Sequence, residues 1–172
     1  MTFVFPDSET SLRDDPTHDL HSITQFIYRE ARFADEHDYD SWEALWTDDA
    51  LYWVPVPGSR RDPMKNVSVV YDNRSRISTR LKQLRTGKRW AQSPASSLRR
   101  VISNIEVLEH FDNEVSVGAN FMLFEANERF VVTWAGRVTY KIRAVDGELF
   151  LVSKVVDLVN ADHALSSMGF LI

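Results

Sequence analysis

The chain has 172 residues, of which 44% are hydrophobic and 12% aromatic, so we expect one globular domain with a sizeable core. It contains no cysteine, which excludes disulfides, cysteine-ligated zinc, iron–sulfur ligation and thiol catalysis. No apolar run is long enough to span a bilayer, and the N-terminus lacks the basic-then-apolar pattern of a secretory signal. These features predict a cytoplasmic protein.

The net charge of −5 is unevenly placed along the chain. Between Arg60 and Arg100, twelve Lys and Arg residues stand against two Asp residues, so this segment carries +10 and the remainder carries −15. Such asymmetry can indicate nucleic-acid binding. Because only Tyr71 and Trp90 interleave with the basic residues and the total charge is acidic, we instead expect a charged face that meets another protein or another copy of the chain.

The N-terminal part predicts an arm followed by a helix. Residues 1–16 contain two prolines and several acidic residues without periodicity, which indicates a flexible arm. Residues 17–172 are then the single domain. Apolar residues recur at helical spacing from about Thr17 to His37, and Pro16 suits the start of a helix.

A second short helix and a strand are predicted next. Asp40 with Glu43 three residues later resembles a capping box, which opens a helix. We expect Thr47–Asp49 to end this helix and a strand to begin at Leu51–Val54. Helices followed by an aromatic strand are the order in which a cone-shaped α+β domain begins, and such cones serve either as small enzymes or as assembly subunits.

The middle of the chain predicts a strand and a third helix. Asn66–Tyr71 is typical of a short strand. Asp72 or Asn73 can cap the helix that follows, and Gly87 is a natural stop. The apolar positions of this helix are Ile77, Leu81 and Leu84.

Four long β-rich runs complete the chain. They are Arg99–His110, Glu114–Glu125, Glu128–Arg143 and Glu148–Asn160. Asp146-Gly147 between the last two is the strongest hairpin signal in the sequence. One face of the second run is apolar at Val115, Val117, Ala119, Phe121 and Leu123, and one face of the third holds Phe130, Val132, Trp134 and Gly136. Gly118 and Gly136 suggest bulges that curve the sheet. The fold class predicted is α+β, a cone-like curved antiparallel sheet with N-terminal helices.

Several polar residues could form a proton-transfer site inside such a cone. The candidates are Tyr28, Asp35, Asp49, Tyr52, Arg99 and Arg100. A carboxylate such as Asp35 would act as base, with Tyr28 or Tyr52 as the oxyanion donor. The alternative, which we favour, is that these groups form buried ion pairs or subunit contacts.

Metal and aromatic-ligand sites are weaker possibilities. The five histidines are His18, His21, His37, His110 and His163. His18 and His21 could share a helical face and, with a carboxylate, hold iron, although a pair at a helix start is better explained by chance. Trp42, Trp46 and Tyr52-Trp53 could line a ligand pocket, but such clusters are more often core or interface. We therefore assign no catalytic, cofactor-binding or metal-ligating residue.

The sequence resembles the β (small) subunits of aromatic-ring-hydroxylating dioxygenases. The resemblance covers nearly everything after about residue 20. It is carried by YREARFADEHDYDSWEALWTDDALYWVPV, YDNRSRISTRLKQLRTGKRWAQSP, RRVISNIEV and VVDLVNADHALSSMGFLI. It implies a cone similar to nuclear transport factor 2 and scytalone dehydratase. It also implies a mainly structural subunit that forms a trimer capped by three α subunits, an α3β3 hexamer.

The resemblance places the redox centres elsewhere. In that family the α subunit carries the Rieske [2Fe–2S] cluster and the mononuclear Fe(II), and electrons come from NADH through a reductase, often with a ferredoxin. The family strand commonly has Ser-Arg-Thr-Arg-His, whereas this chain has Ser96-Ser97-Leu98-Arg99-Arg100. Arg100 thus replaces the histidine, which argues against a vestigial dehydratase site. A free-standing isomerase or dehydratase that uses Asp35 with Tyr28 or Tyr52 is the alternative function.

Overall fold

A six-stranded curved sheet with three helices forms the part of the chain that the structure describes. The structure is a computed structural model, and it describes residues 16–56, 67–87, 95–128, 130–159 and 168–172. The helices are α1 (Leu20–Asp35), α2 (Tyr39–Ala44) and α3 (Arg74–Arg85), and a 3₁₀ turn at Pro16–His18 precedes them. The strands are β1 (Trp46–Pro55), β2 (Ser68–Asn73), β3 (Ser97–Phe111), β4 (Glu114–Ala126), β5 (Val131–Val145) and β6 (Glu148–Leu158). The predicted arm, apart from Pro16, lies outside the described residues.

The sheet follows the order β2-β1-β6-β5-β4-β3. β3 to β6 form an antiparallel meander, whereas β1 pairs with β6 in parallel and with β2 antiparallel. The hairpin between β5 and β6 turns at Asp146 and Gly147, which both have positive φ as a tight two-residue hairpin requires. The α+β class predicted from the sequence is confirmed, but the sheet is mixed and not wholly antiparallel, because β1 runs parallel to β6.

The core lies between the inner face of the sheet and the helices. The predicted apolar face of β4 is buried along its whole length, and α1 buries Ile23, Phe26 and Ile27 against the same cluster. Asn73 caps α3 by accepting from the Arg76 amide, and the three predicted apolar residues of α3 are buried. On β5, Trp134 and Gly136 are buried but Phe130 is exposed, because it lies before the strand begins.

The boundaries around α2 differ from those predicted. The N-cap is Asp38, whose carboxylate accepts from the Ser41 amide at 3.2 Å, so Asp40 lies inside the helix. Thr47–Asp49 belong to β1 and do not form a turn that ends the helix. The reason is long-range pairing: the Leu151 amide donates to the Leu45 carbonyl at 2.7 Å, which draws the chain into the sheet directly after α2.

The two strand glycines do not mark bulges in their own strands. β4 and β5 pair in unbroken register through Gly118 and Gly136. Register shifts occur at other positions, including β3 near Asn104, which has a φ of 52°, and the pairing of β5 with β6 near Ile142. Gly136 is required for close packing, since a Cβ there would lie 2.2 Å from the main-chain oxygen of Asp157. No helix among the described residues is long and apolar enough to cross a membrane.

Candidate functional site

The Asp35 carboxylate, proposed above as a base, is fully engaged by Arg100. Asp35 is the last residue of α1, and Arg100 lies near the start of β3. The Arg100 Nε donates to Asp35 Oδ1 at 2.7 Å, and the Arg100 amide donates to Oδ2 at 2.8 Å. Both side chains are only 3% exposed. Asp35 therefore forms a buried ion pair with the Arg100 guanidinium through Oδ1 and a hydrogen bond with the Arg100 main-chain amide through Oδ2.

The two tyrosines proposed with Asp35 occupy different environments. Tyr28 is 45% exposed on the outer side of α1 and shares an open surface groove with Asp35, Arg99 and Arg100. Tyr52 lies on β1 in the core, where its hydroxyl donates to the Ile172 main-chain oxygen at 2.8 Å and accepts from the Ile172 amide at 3.0 Å. Burial raises the pKa of Tyr52 to about 12. Asp35 and Tyr52 therefore lie in separate hydrogen-bonded environments, because Asp35 bonds Arg100 and Tyr52 bonds Ile172, whereas Tyr28 and Asp35 line a groove that is open to solvent.

A second buried ion pair was missed by the sequence analysis. Lys154 of β6 donates to Glu30 Oε1 at 2.8 Å, and Trp42 Nε1 donates to the same oxygen at 2.6 Å. Glu30 and Lys154 are 0% and 1% exposed, and Glu30 Oε2 has no partner among the described atoms. A sequence signal does exist: Glu30 follows Phe26 by four residues on the apolar stripe of α1, and Lys154 is in phase with buried Val156.

Burial and the neighbouring charges act in opposite directions on this pair. Burial alone would raise the pKa of Glu30, but Lys154, the nearby Arg100 and the two hydrogen bonds outweigh it and lower that pKa. Burial lowers the pKa of Lys154, and the Glu30 carboxylate offsets part of the effect. Burial also raises the pKa of Tyr140, which lies about 6 Å from Lys154. Glu30, Lys154 and Tyr140 thus form a polar cluster within the apolar core.

The acidic residues of helix α2 and the basic residues of helix α3 partly neutralise each other within the chain. Glu43 accepts from Arg74 at 3.0 Å and from Arg85 at 3.0 Å, and Arg85 also bonds Asp40 at 2.5 Å. Burial raises the pKa of Glu43, but these arginines and Ser78 hold it at about 2. The uneven charge of the sequence is therefore satisfied in part by contacts inside the fold.

The remaining charged candidates lie in different environments. Asp49 lies on β1 and pairs with Arg143 of β5 at 2.8 Å, and hydrogen bonds from Arg143 and Thr47 lower its pKa to about 2. In the basic segment that we expected to form a charged face, Arg99 is exposed, whereas the Arg100 side chain is buried and so is not a surface contact. Arg60 and Arg61 lie outside the described residues.

The histidines do not converge. His21 is exposed, His110 is exposed near the end of β3, and His37 bonds the Tyr39 hydroxyl and the Ser96 carbonyl. The side chain of His18 and all of His163 lie outside the described part of the chain. Within the described residues no three His, Asp or Glu side chains are grouped as a metal site would require. Trp42, Trp46 and Tyr52 pack edge-on or tilted in a core cluster, with ring centroids 5.1 to 6.1 Å apart.

The last described residues fill the space beside this cluster. Phe170, Leu171 and Ile172 are all buried, and Phe170 packs edge-on against Trp134 with centroids 5.6 Å apart. Arg100 Nη2 donates to the Leu171 carbonyl at 2.8 Å. Arg100 and Trp134 therefore contact this segment of the same chain.

Comparisons with known proteins agree with this architecture. The family described as "Ring hydroxylating beta subunit" matches residues 29–162. The small subunit of 2-halobenzoate 1,2-dioxygenase from Burkholderia cepacia is 26% identical over 143 residues, which are 80% of this chain and 87% of that protein. The crystal structure of the benzoate 1,2-dioxygenase β subunit from Burkholderia mallei superposes with a TM-score of 0.75 at 25% identity, over 89% of this chain and 97% of that one.

The fold extends to more distant proteins. A putative scytalone dehydratase from Novosphingobium aromaticivorans has a TM-score of 0.63 at 15% identity, over 86% of this chain and 88% of that one, which shows a shared fold alone. This likeness confirms the predicted scytalone dehydratase-like cone. The family match spans most of the chain, and the relatives are subunits of dioxygenases. The chain therefore belongs to the family of aromatic-ring-hydroxylating dioxygenase β subunits.

Proposed function

We propose that this chain is a non-catalytic assembly subunit of a multicomponent, NADH-dependent dioxygenase that incorporates O2 into an aromatic compound during its catabolism. Its partner is the large α subunit, which carries the Rieske [2Fe–2S] and mononuclear Fe(II) centres. Three copies of each subunit form an α3β3 hexamer, and a reductase and ferredoxin supply electrons. The predicted cytoplasmic location belongs to this proposal.

The residues of this chain do not fit a Rieske cluster. Such a cluster requires two cysteine thiolates and two histidines, and the sequence has no cysteine. Any such cluster in the complex must therefore be held by another subunit.

The observation that supports the non-catalytic role is that the candidate groups Asp35 and Tyr52 are bonded to protein atoms among the described residues. Both oxygens of Asp35 bond Arg100, and the hydroxyl of Tyr52 bonds Ile172. A general acid or base must be within hydrogen-bond reach of a substrate atom. These groups instead contact protein atoms, and residues 170–172 occupy the adjoining space.

A surface suited to subunit contacts lies on the outer face of the sheet. We name it the outer-face patch and define it as Val101, Met122, Phe124 and Val131, which are all exposed. Strand register places them together: Val101 pairs with Met122, Phe124 is two residues further along β4, and Val131 pairs with Ala126. A contiguous apolar patch of this kind is typical of a protein interface.

The experiment is co-expression with the cognate α subunit followed by native mass spectrometry. Val131 is 71% exposed in the outer-face patch, and Val145, 42% exposed, lies at the other end of β5 as a matched control. We expect wild-type and Val145→Asp chains to give α3β3 complexes and Val131→Asp chains to give smaller species. A wild-type chain that stays monomeric and does not bind the α subunit would contradict the proposed function. Assembly of Val131→Asp as in wild type would contradict only the use of the patch.

A further inference from the structure

Residues 170–172 are held by side chains and not by the backbone ladder of the sheet. This segment belongs to no helix or strand, so its main-chain groups need other partners. Tyr52 of β1 bonds both the amide and the oxygen of Ile172, and Arg100 of β3 bonds the carbonyl of Leu171. Side chains from separate strands thus bind the main chain of this segment, as they would bind a separate peptide.

The recognising groups are fixed by contacts that do not involve the segment. Asp35 holds the Arg100 guanidinium, and Glu125 accepts from Trp134 Nε1 at 3.0 Å and from Ser96 Oγ at 2.9 Å. The ring of Tyr52 packs against two tryptophans. Because these groups are ordered by their own neighbours, the site should keep its shape when the segment leaves, and a preorganised site binds without the cost of ordering its side chains.

We propose that Tyr52, Arg100 and Trp134 form a peptide-binding site in the cone, which the chain fills in cis with residues 170–172. The ligand class is an extended apolar peptide with an aromatic side chain followed by a residue whose carbonyl oxygen accepts from Arg100. Phe170 supplies the ring and Leu171 the carbonyl. This proposal concerns the chain alone and holds whether or not the chain assembles with an α subunit.

The first test removes the segment and supplies it in trans. The full chain and a chain ending at Ser167 are titrated with the heptapeptide Ser-Ser-Met-Gly-Phe-Leu-Ile while tryptophan fluorescence is recorded, since Trp134 contacts Phe170. We expect saturable one-to-one binding to the shortened chain and none to the full chain. The peptide with Ala in place of Phe should bind at least tenfold more weakly, because it loses the ring contact and its buried area. A folded shortened chain that does not bind the heptapeptide would overturn the proposal.

A second test uses the full chain and decides the matter if the shortened chain does not fold. Hydrogen exchange is measured for the amides of Leu171 and Ile172 and of buried β4 in wild type and Tyr52→Phe. The substitution removes the acceptor of the Ile172 amide. We expect exchange at residue 172 to become at least tenfold faster relative to β4, because a bound segment opens locally. If the amides of residues 171 and 172 exchange at the same rate as those of buried β4 in both proteins, the segment is an integral part of the core and the proposal is refuted.

Discussion

The buried Glu30–Lys154 pair gives the sharpest prediction about stability. At 2.8 Å and an effective dielectric constant of about 20, the two charges attract by about 6 kcal/mol, and removing each ion from water costs several kcal/mol. The pair therefore contributes little net stability as a unit. Lys154→Met removes the partner and leaves the Glu30 carboxylate buried with only Trp42 as a donor, so we expect a loss of about 3–5 kcal/mol in the free energy of unfolding.

The double variant distinguishes this explanation from simple loss of packing. Glu30→Gln removes the charge but keeps an oxygen that can accept from Trp42. In combination with Lys154→Met it leaves no unpaired charge in the core. We therefore expect the double variant to lie within about 1–2 kcal/mol of wild type, much closer than the single Lys154→Met variant.

The assay is urea unfolding followed by tryptophan fluorescence at one fixed protein concentration, since assembly would shift the apparent stability. Lys82→Met makes the same chemical change on the exposed face of α3 and should alter the free energy by no more than about 0.5 kcal/mol. The electrostatic explanation is refuted if Lys154→Met loses less than about 1 kcal/mol, or if adding Glu30→Gln fails to recover stability.

Two further predictions concern pH and packing. Because the folded pKa of Glu43 is about 2 against an ordinary 4.5, its contribution is fully present above about pH 4.5 and lost as pH falls towards 2. Glu43→Gln should reduce the fall in unfolding free energy between about pH 4.5 and 2. An unchanged dependence of the unfolding free energy on pH in this variant would contradict the role given to Glu43. Gly136→Ala should cost at least about 2 kcal/mol in urea unfolding, because its Cβ would overlap the Asp157 backbone. Gly118→Ala should cost less than about 1 kcal/mol, because its Cβ would overlap the movable end of the Arg137 side chain and make only an ordinary contact with Leu108. Equal losses for the two alanines would contradict this assignment.

Local signals were sufficient to predict much of the sheet and α3. The apolar alternation of β4, the Asn73 cap and the Asp146-Gly147 turn each depend on a few neighbouring residues, and the structure confirms them. The start of β1 could not be predicted in this way, because its first residues join the sheet through pairing with Leu151 of β6, about 100 residues later. Local polar residues there favour a turn, and tertiary pairing overrides them.

The buried ion pairs could not be predicted from local signals either. Asp35 and Arg100 were both candidates, but only the folded structure shows that they lie close enough to form an ion pair with each other. Glu30 and Lys154 lie 124 residues apart, and a charged residue on an apolar stripe does not by itself identify its partner. The burial of residues 170–172 could not be predicted either, since an apolar segment outside a helix or strand carries no periodicity.

The central claim is that this β subunit supports an active site without supplying catalytic groups. The most direct measurement is turnover per assembled complex, with the aromatic compound that the wild-type complex oxidises, for wild type and the Glu30→Gln/Lys154→Met double variant. Native mass spectrometry first establishes equal assembly. We expect the two rates to agree within about twofold, since these buried groups would only maintain the fold. A fully assembled variant complex that is about 100-fold slower, the size of effect that general acid–base catalysis supplies, would contradict the claim.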